Sequence, residues 1–316
     1  MQSSNRQHEC RYVAREANST WHTSYWSAKI LSEHHKGINP MIDSRTLRAT
    51  MHRLTLLALA FTLSTGLAAA QQSQTPPLAG IAHVAIRVHD LAAAKAFYEK
   101  LGFEQAFDLR KGNVPYESFI KINDRQFIEL YPATEKDPQI GFLHLCFEGD
   151  NLEAIHDDYA SRGLTPTAVR KAGAGNLLFT MRGPENQNIE YTQYMPGSLH
   201  SNDQGKHIGE DRIGDKLISV SLAMKDTDAA RDYYINQLSF KPIAGDPMFM
   251  HLPGESGEEV EIAQPTLGTR ARIILQTGNI GKSKRHLRKE GIAITDEAGT
   301  LAVIDPDGNF ILLKAK

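Results

Sequence analysis

Two histidines and two glutamates stand at a repeated interval in this chain. His83 and Glu129 are 46 positions apart, and His144 and Glu190 are also 46 apart. Each histidine lies in an alternating apolar run, IAHVAIRV or FLHLCF, and each glutamate in another, FIELY or NIEYTQ. Such alternation marks half-buried strands. A buried carboxylate needs a partner, because its desolvation is costly. If the two stretches pair symmetrically, two imidazoles and two carboxylates converge. That donor set suits a divalent metal ion (Zn, Ni, Co, Mn or Fe(II)) with positions left open for water or a small-molecule substrate. Three further residues share strand faces with this set by period-2 geometry. Arg87 lies four after His83, Tyr131 two after Glu129, and Cys146 two after His144. Arg87 is a candidate for holding a carboxylate or phosphate. Tyr131 and Cys146 are candidate pocket walls.

The elements that must position these residues recur along the chain. Residues 80–103, GIAHVAIRVHDLAAAKAFYEKLGF, read as a strand, an Asp90 N-cap, a helix with Phe97 and Leu101 on one face, and a Gly102 stop. Residues 217–240, LISVSLAMKDTDAARDYYINQLSF, follow the same plan from Asp226. Residues 142–164 and 270–292 are a second such pair, ending their helices at Gly163 and Gly291. Short strand-like runs follow each helix, among them Glu117–Ile122, Gln126–Tyr131, Leu177–Met181 and Asn188–Gln193. The expected fold is α+β: four βαβββ modules of about 50 residues, repeats being the first thing to seek in a chain of this kind. Residues 196–215 are polar, without apolar period, and read as a linker between pairs of modules.

These pieces resemble the vicinal oxygen chelate superfamily, which includes glyoxalase I, extradiol dioxygenases and bleomycin-binding proteins. The motifs carrying the resemblance are HVAIRVHDLAAAKAFYEKLGF, FIELYP, HLCFEGDN and GPENQNIEY, and it extends over nearly all of residues 80–316. It implies that the modules pair into two glyoxalase-like domains, each curling a sheet around a central site. It implies that His83, Glu129, His144 and Glu190 are the metal ligands, that Glu129 or Glu190 moves a proton, and that Arg87 helps hold substrate. A glyoxalase I-like lyase or isomerase follows from the resemblance. An extradiol Fe(II) dioxygenase using His83, His144 and Glu190 is one alternative, and a non-catalytic binding or resistance protein another. Four positions after Glu129, where glyoxalase I has an asparagine touching glutathione, this chain has Ala133. Aligned on Asp226, the helix end and Pro306, the later pair of modules offers Ser219, Glu261, Arg272 and Leu312 at the four ligand positions. Only one of these is a ligand type, so residues 216–316 read as a degenerate copy of the metal-binding domain at residues 80–195.

The N-terminal region has a different character. Residues 51–70, MHRLTLLALAFTLSTGLAAA, combine Arg53, a 14-residue uncharged run from Leu54 to Leu67, and an Ala-Ala-Ala cleavage site. This is a secretory signal pattern, too short for a membrane span. Residues 1–50 lack apolar periodicity and read as an over-long gene model or disordered segment. Removing residues 1–70 leaves an exported chain of 246 residues with 27 basic and 33 acidic side chains. That balance gives no support to nucleic-acid binding. The single remaining thiol, Cys146, excludes an internal disulfide. No membrane association is expected after cleavage, and the chain is read as a monomer or homodimer.

Overall fold

The computed structural model describes residues 75–266, 268–297 and 300–316. Residues 1–50 and the signal at 51–70 lie outside the described residues. The first two modules are β1 (Gly80–Val88), α1 (Leu91–Lys100), β2 (Glu104–Lys111), β3 (Val114–Lys121) and β4 (Phe127–Pro132), then β5 (Gly141–Glu148), α2 (Leu152–Ser161), β6 (Arg170–Lys171), β7 (Leu177–Arg182) and β8 (Asn188–Gln193). A connector carrying the one-turn helix α3 (Leu199–Asn202) follows. The last two modules are β9 (Lys216–Ala223), α4 (Thr227–Asn236), β10 (Lys241–Ile243), β11 (Asp246–His251) and β12 (Glu259–Ala263), then β13 (Arg272–Thr277), α5 (Ile280–Lys289), β14 (Thr295–Glu297), β15 (Thr300–Ile304) and β16 (Phe310–Ala315).

The strands form two eight-stranded mixed sheets with the same order, β2-β3-β4-β1-β5-β8-β7-β6 and β10-β11-β12-β9-β13-β16-β15-β14. Within each module the first and last strands run parallel, as β1 with β4 and β5 with β8. The two modules of a sheet meet antiparallel at β1 and β5, and at β9 and β13. The local cause of this repetition is visible at the helix starts. Asp90 accepts from the backbone of Ala92 and Ala93, and Asn151, Asp226 and Asn279 each accept from the residue three on. These caps satisfy amides that the first helical turn leaves free. Eight residues after each cap a large side chain enters the core: Tyr98, Tyr159, Tyr234 and Leu287, all buried.

Strand alternation then divides each sheet into two faces. On β1, Val84, Ile86 and Val88 join the hydrophobic core, while His83, Ala85 and Arg87 point the other way. On β4, Ile128 and Leu130 enter the core and leave Glu129 and Tyr131 opposite; on β8, Ile189 and Tyr191 leave Glu190 opposite. One core cluster runs through both sheets and their helices. Polar contacts lock the sheets across it. Tyr98 Oη donates to Asp305 Oδ2 (3.3 Å), and Tyr234 Oη donates to Gln187 Oε1 (2.8 Å). Gly102 closes α1 with φ +83°, where an added Cβ would stand 2.4 Å from the backbone of Asp211. Only glycine tolerates both conditions without strain.

Candidate metal centre

The pairing registers bring the four sequence-singled residues to one spot. Across the pseudo-two-fold seam, His83 lies opposite Cys146 and Ala85 opposite His144. Glu129 lies beside Ala85, and Glu190 beside Cys146. Both imidazoles and both carboxylates therefore emerge from the same face at the middle of the sheet. His83 is the hub. Its Nδ1 is 3.1 Å from Glu129 Oε1. Its Nε2 is 3.2 Å from His144 Nε2 and 3.4 Å from Glu190 Oε1. His144 Nε2 is 3.9 Å from Glu129 Oε2. Two triplets have candidate ligand atoms all within 4.8 Å of one another: His83–Glu129–His144 and His83–Cys146–Glu190.

These side chains fit a divalent ion. Bonds of about 2.1 Å to an ion place neighbouring donors about 3 Å apart and opposed donors about 4 Å apart, the range just given. The charge balance points the same way. Glu117, Glu129 and His83 are all at most 8% exposed. Among the described residues no Lys or Arg lies within ion-pair distance of Glu117, Glu129 or Glu190, and the two histidines pair with Glu129 and Glu190. Two buried carboxyl groups and the partly buried Glu190 thus stand with two imidazoles and no Lys or Arg, and protons or a bound cation would complete their neutralisation.

Protonation in the cluster is uneven. Burial, then the neighbouring Glu117 and Glu190 carboxylates, pushes the Glu129 carboxyl well above its usual range. Burial also raises Glu117 and the Tyr131 hydroxyl. Burial opposes ionisation of Glu190 as well, but the hydrogen bond with His83 and the fields of His144 and His83 overcome it and hold that carboxyl at about 2. Burial lowers His144 to about 4, leaving its ring neutral and free to ligate at pH 7. The two carboxyls are thus pushed in opposite directions, Glu129 up and Glu190 down, the kind of separation that divides roles in paired-carboxylate sites.

A cavity of about 190 Å³ opens over the cluster, with His83, Glu129, Tyr131 and Glu190 in its wall. Tyr131 Oη donates to Glu129 Oε2 (3.2 Å), which orients that carboxylate. Two sequence expectations need correction. Cys146 is fully buried beneath His83 and Glu190 and does not reach the cavity wall; its small side chain ends at the level of the ligand atoms, and burial raises its thiol pKa well up. Arg87 shares the strand face of His83, but its guanidinium turns to the neighbouring loop, donating to Gln139 O (3.4 Å) beside Asp137 (3.9 Å), and it is absent from the cavity lining. Among the cavity residues that escaped the sequence reading are Glu117 and His200. Glu117 shares a face with Phe119 and Lys121 by strand alternation, a signal that was available. His200 comes from the connector, where nothing local in the sequence marks it.

The second sheet carries the same frame with different chemistry. Glu261 lies beside Ser221 as Glu129 lies beside Ala85, and Ser221 lies opposite Arg272 as Ala85 lies opposite His144. Ile274 lies opposite Ser219 and beside Leu312. The ligand positions are thus Ser219, Glu261, Arg272 and Leu312. Here Arg272 Nη1 pairs with Glu261 and donates to Ser221 Oγ (2.8 Å). A guanidinium fills the place where the first sheet gathers its donors.

Residues 80–191 match the Glyoxalase/Bleomycin resistance protein/Dioxygenase superfamily. No curated protein sequence matches the chain. Among solved structures, the Mn(II)-bound glyoxalase from Novosphingobium aromaticivorans is similar at 15% identity and TM-score 0.59, covering 76% of this chain and 82% of that one. A catechol 2,3-dioxygenase is similar at 13% identity and TM-score 0.58, covering 76% and 89%. The 2,3-dioxygenase LapB from Pseudomonas sp. KL28 is similar at 14% identity and TM-score 0.59, covering 77% and 93%. At these identities the likeness is one of fold.

Proposed function

We propose, from the premise that residues 80–191 form a domain of the Glyoxalase/Bleomycin resistance protein/Dioxygenase superfamily, that the chain is a metal-dependent lyase or isomerase of glyoxalase I type acting on a small oxygenated substrate. The observation that carries this reading is the buried Glu129 carboxyl set beside His83 and His144 in the wall of a cavity. His83, His144, Glu190 and Glu129 would hold the ion. When bound, the ion polarises two substrate oxygens and acidifies the carbon next to them. The Glu129 carboxylate, once deprotonated, takes a proton from that carbon and returns it to the adjacent one, so that the substrate is isomerised with no net loss of protons. A carboxyl with a raised pKa suits this exchange near neutral pH. Tyr131 keeps Glu129 aimed, and Phe119 adds an apolar surface to the same wall.

One observation favours a second reading. Glu129 Oε1 engages Nδ1 of His83, not the Nε2 that faces His144 and Glu190. If Glu129 only orients His83, the ligand set reduces to two histidines and one carboxylate, the Fe(II) oxygenase set. Metal analysis of the purified chain comes first: absence of a stoichiometric ion sinks both readings. Turnover of methylglyoxal hemithioacetal that disappears in Glu129→Gln supports the lyase. Oxygen uptake with catechols after anaerobic Fe(II) loading, surviving in Glu129→Gln, replaces it with the dioxygenase.

A further inference from the structure

The connector between the sheets reaches back over the candidate centre and places His200 in the cavity wall, 5% exposed. The tautomer of this ring follows from its neighbours. Met195 N–H donates to Asn176 Oδ1 (3.2 Å), and a backbone amide can only donate, so the Asn176 oxygen is fixed on that side. Asn176 Nδ2 therefore faces His200 Nδ1 and donates to it at 2.9 Å. Nδ1 is the acceptor, and the ring proton of the neutral imidazole sits on Nε2. That Nε2 is buried and has no hydrogen-bond partner. An unpaired buried donor is a standing cost to the folded state and calls for an explanation.

The ring is also firmly held. It stacks on Tyr194 (4.9 Å between centroids, 23° between planes) and meets Phe107, Phe119 and Phe127 edge-on at 4.8–5.2 Å. Burial lowers its pKa to about 3, so it stays a neutral donor. Behind it, the Lys121 ammonium binds Asp203 O (2.6 Å) and Lys206 O (2.7 Å) and ties the connector to β3. Such preorganisation is what a ligand contact requires. Arg170 lies in the same cavity wall, and Leu109, Phe119 and Leu178 add apolar lining beside the polar Tyr116, Asn176 and Thr192. The cavity of about 190 Å³ has room for a small acid.

We propose that His200 is a substrate-contacting residue whose Nε2–H, with Arg170 of the same cavity wall as counter-charge, receives the second carboxylate of a small 2-hydroxy or 2-oxo dicarboxylic acid. This inference rests on the reading that the substrate's other pair of oxygens faces the His-Glu cluster. The probes are malate, which carries the second carboxylate, and lactate, which lacks it. Binding is measured by calorimetry on the whole chain, both metal-loaded and metal-free. Wild type binds malate more tightly than lactate. His200→Asn keeps an amide beside Asn176 but removes the far donor, and weakens malate by about tenfold, one charge-assisted hydrogen bond, with lactate unchanged. His200→Gln, whose amide N–H reaches the Nε2 position, restores malate binding. Equal binding of malate and lactate by wild type overturns the proposal, as does unchanged malate binding in His200→Asn. A chain that takes up no metal but keeps the His200-dependent malate preference sinks the ion reading and leaves this one standing.

Discussion

Replacing Lys121 with methionine tests how the connector is held. The Lys121 ammonium has no exposed surface and faces four oxygens: Asp203 O (2.6 Å), Lys206 O (2.7 Å), Asp203 Oδ2 (2.8 Å) and Asp124 Oδ1 (2.9 Å). Methionine fills nearly the same volume, so packing changes little and the polar loss dominates. Two carbonyls lose a charged donor, a loss of ~1.5–3 kcal/mol each when taken alone. Asp203, its side chain 7% exposed, keeps only His207 Nδ1 at 2.5 Å as a side-chain partner. Breaking a buried pair from one side costs ~3–5 kcal/mol. These losses overlap, because the same ammonium makes every contact, so the net expectation stays at ~3–5 kcal/mol. At ~2–4 °C per kcal/mol for a chain of this size, the melting temperature falls by about 6–20 °C. Urea denaturation of wild type, Lys121→Met, Asp203→Leu and the double variant is the assay. The double variant should lose less than the sum of the singles, because it leaves no stranded charge. A single-variant loss below about 1 kcal/mol, or strict additivity, refutes the reasoning and makes Lys121 an incidental contact.

Four more expectations follow from the same geometry. In the metal-free chain Glu129 holds a proton above the usual glutamate value of 4.5, so this group stabilises the fold at low pH and that contribution is lost as pH rises through its raised value; a divalent ion must displace this proton, and calorimetry in buffers of different ionisation enthalpy should show proton release and tighter metal binding at higher pH. Arg272→Met removes the cation from Glu261, whose side chain is 16% exposed and keeps the Ser221 hydroxyl as a donor, and should cost ~1–2 kcal/mol in urea denaturation while metal stoichiometry is unaltered. Gly102→Ala meets both a left-handed φ and the Asp211 backbone, and should lower stability by at least about 1 kcal/mol; a neutral result would mean that the connector yields easily there. N-terminal sequencing of protein recovered from the exported fraction should begin at Gln71, and recovery of a chain containing Trp21 would contradict the signal reading.

The fold was legible because its signals are local and repeated. The caps Asp90, Asn151, Asp226 and Asn279 each stand eight residues before a buried side chain, and strand alternation sorts core from open face at single-residue resolution. The equal His-to-Glu intervals exposed the cluster because a duplicated module repeats its registers. Face parity says less about where a side chain ends. Arg87 has the parity of His83, yet its long stem carries the charge to Gln139 and Asp137. Cys146 has the parity of His144, yet is too short to reach the cavity. His200 was beyond reach for another reason: its place depends on Lys121 and Asn176, 79 and 24 residues away in sequence. A polar stretch looks the same in sequence whether solvent or a buried ammonium satisfies its carbonyls.

The Arg272–Glu261 pair gives the two sheets different dependencies on their surroundings. In the second sheet the cation is covalently part of the chain and arrives with translation. In the first, on the proposed reading, the cation would be captured from solution. Scarcity or chelation of metal should therefore soften the molecule from one side only. Amide exchange would rise around β1, β4, β5 and β8 while β9, β12, β13 and β16 keep their protection. On that reading the second sheet would serve as a folded platform on which the first could lose and regain its ion.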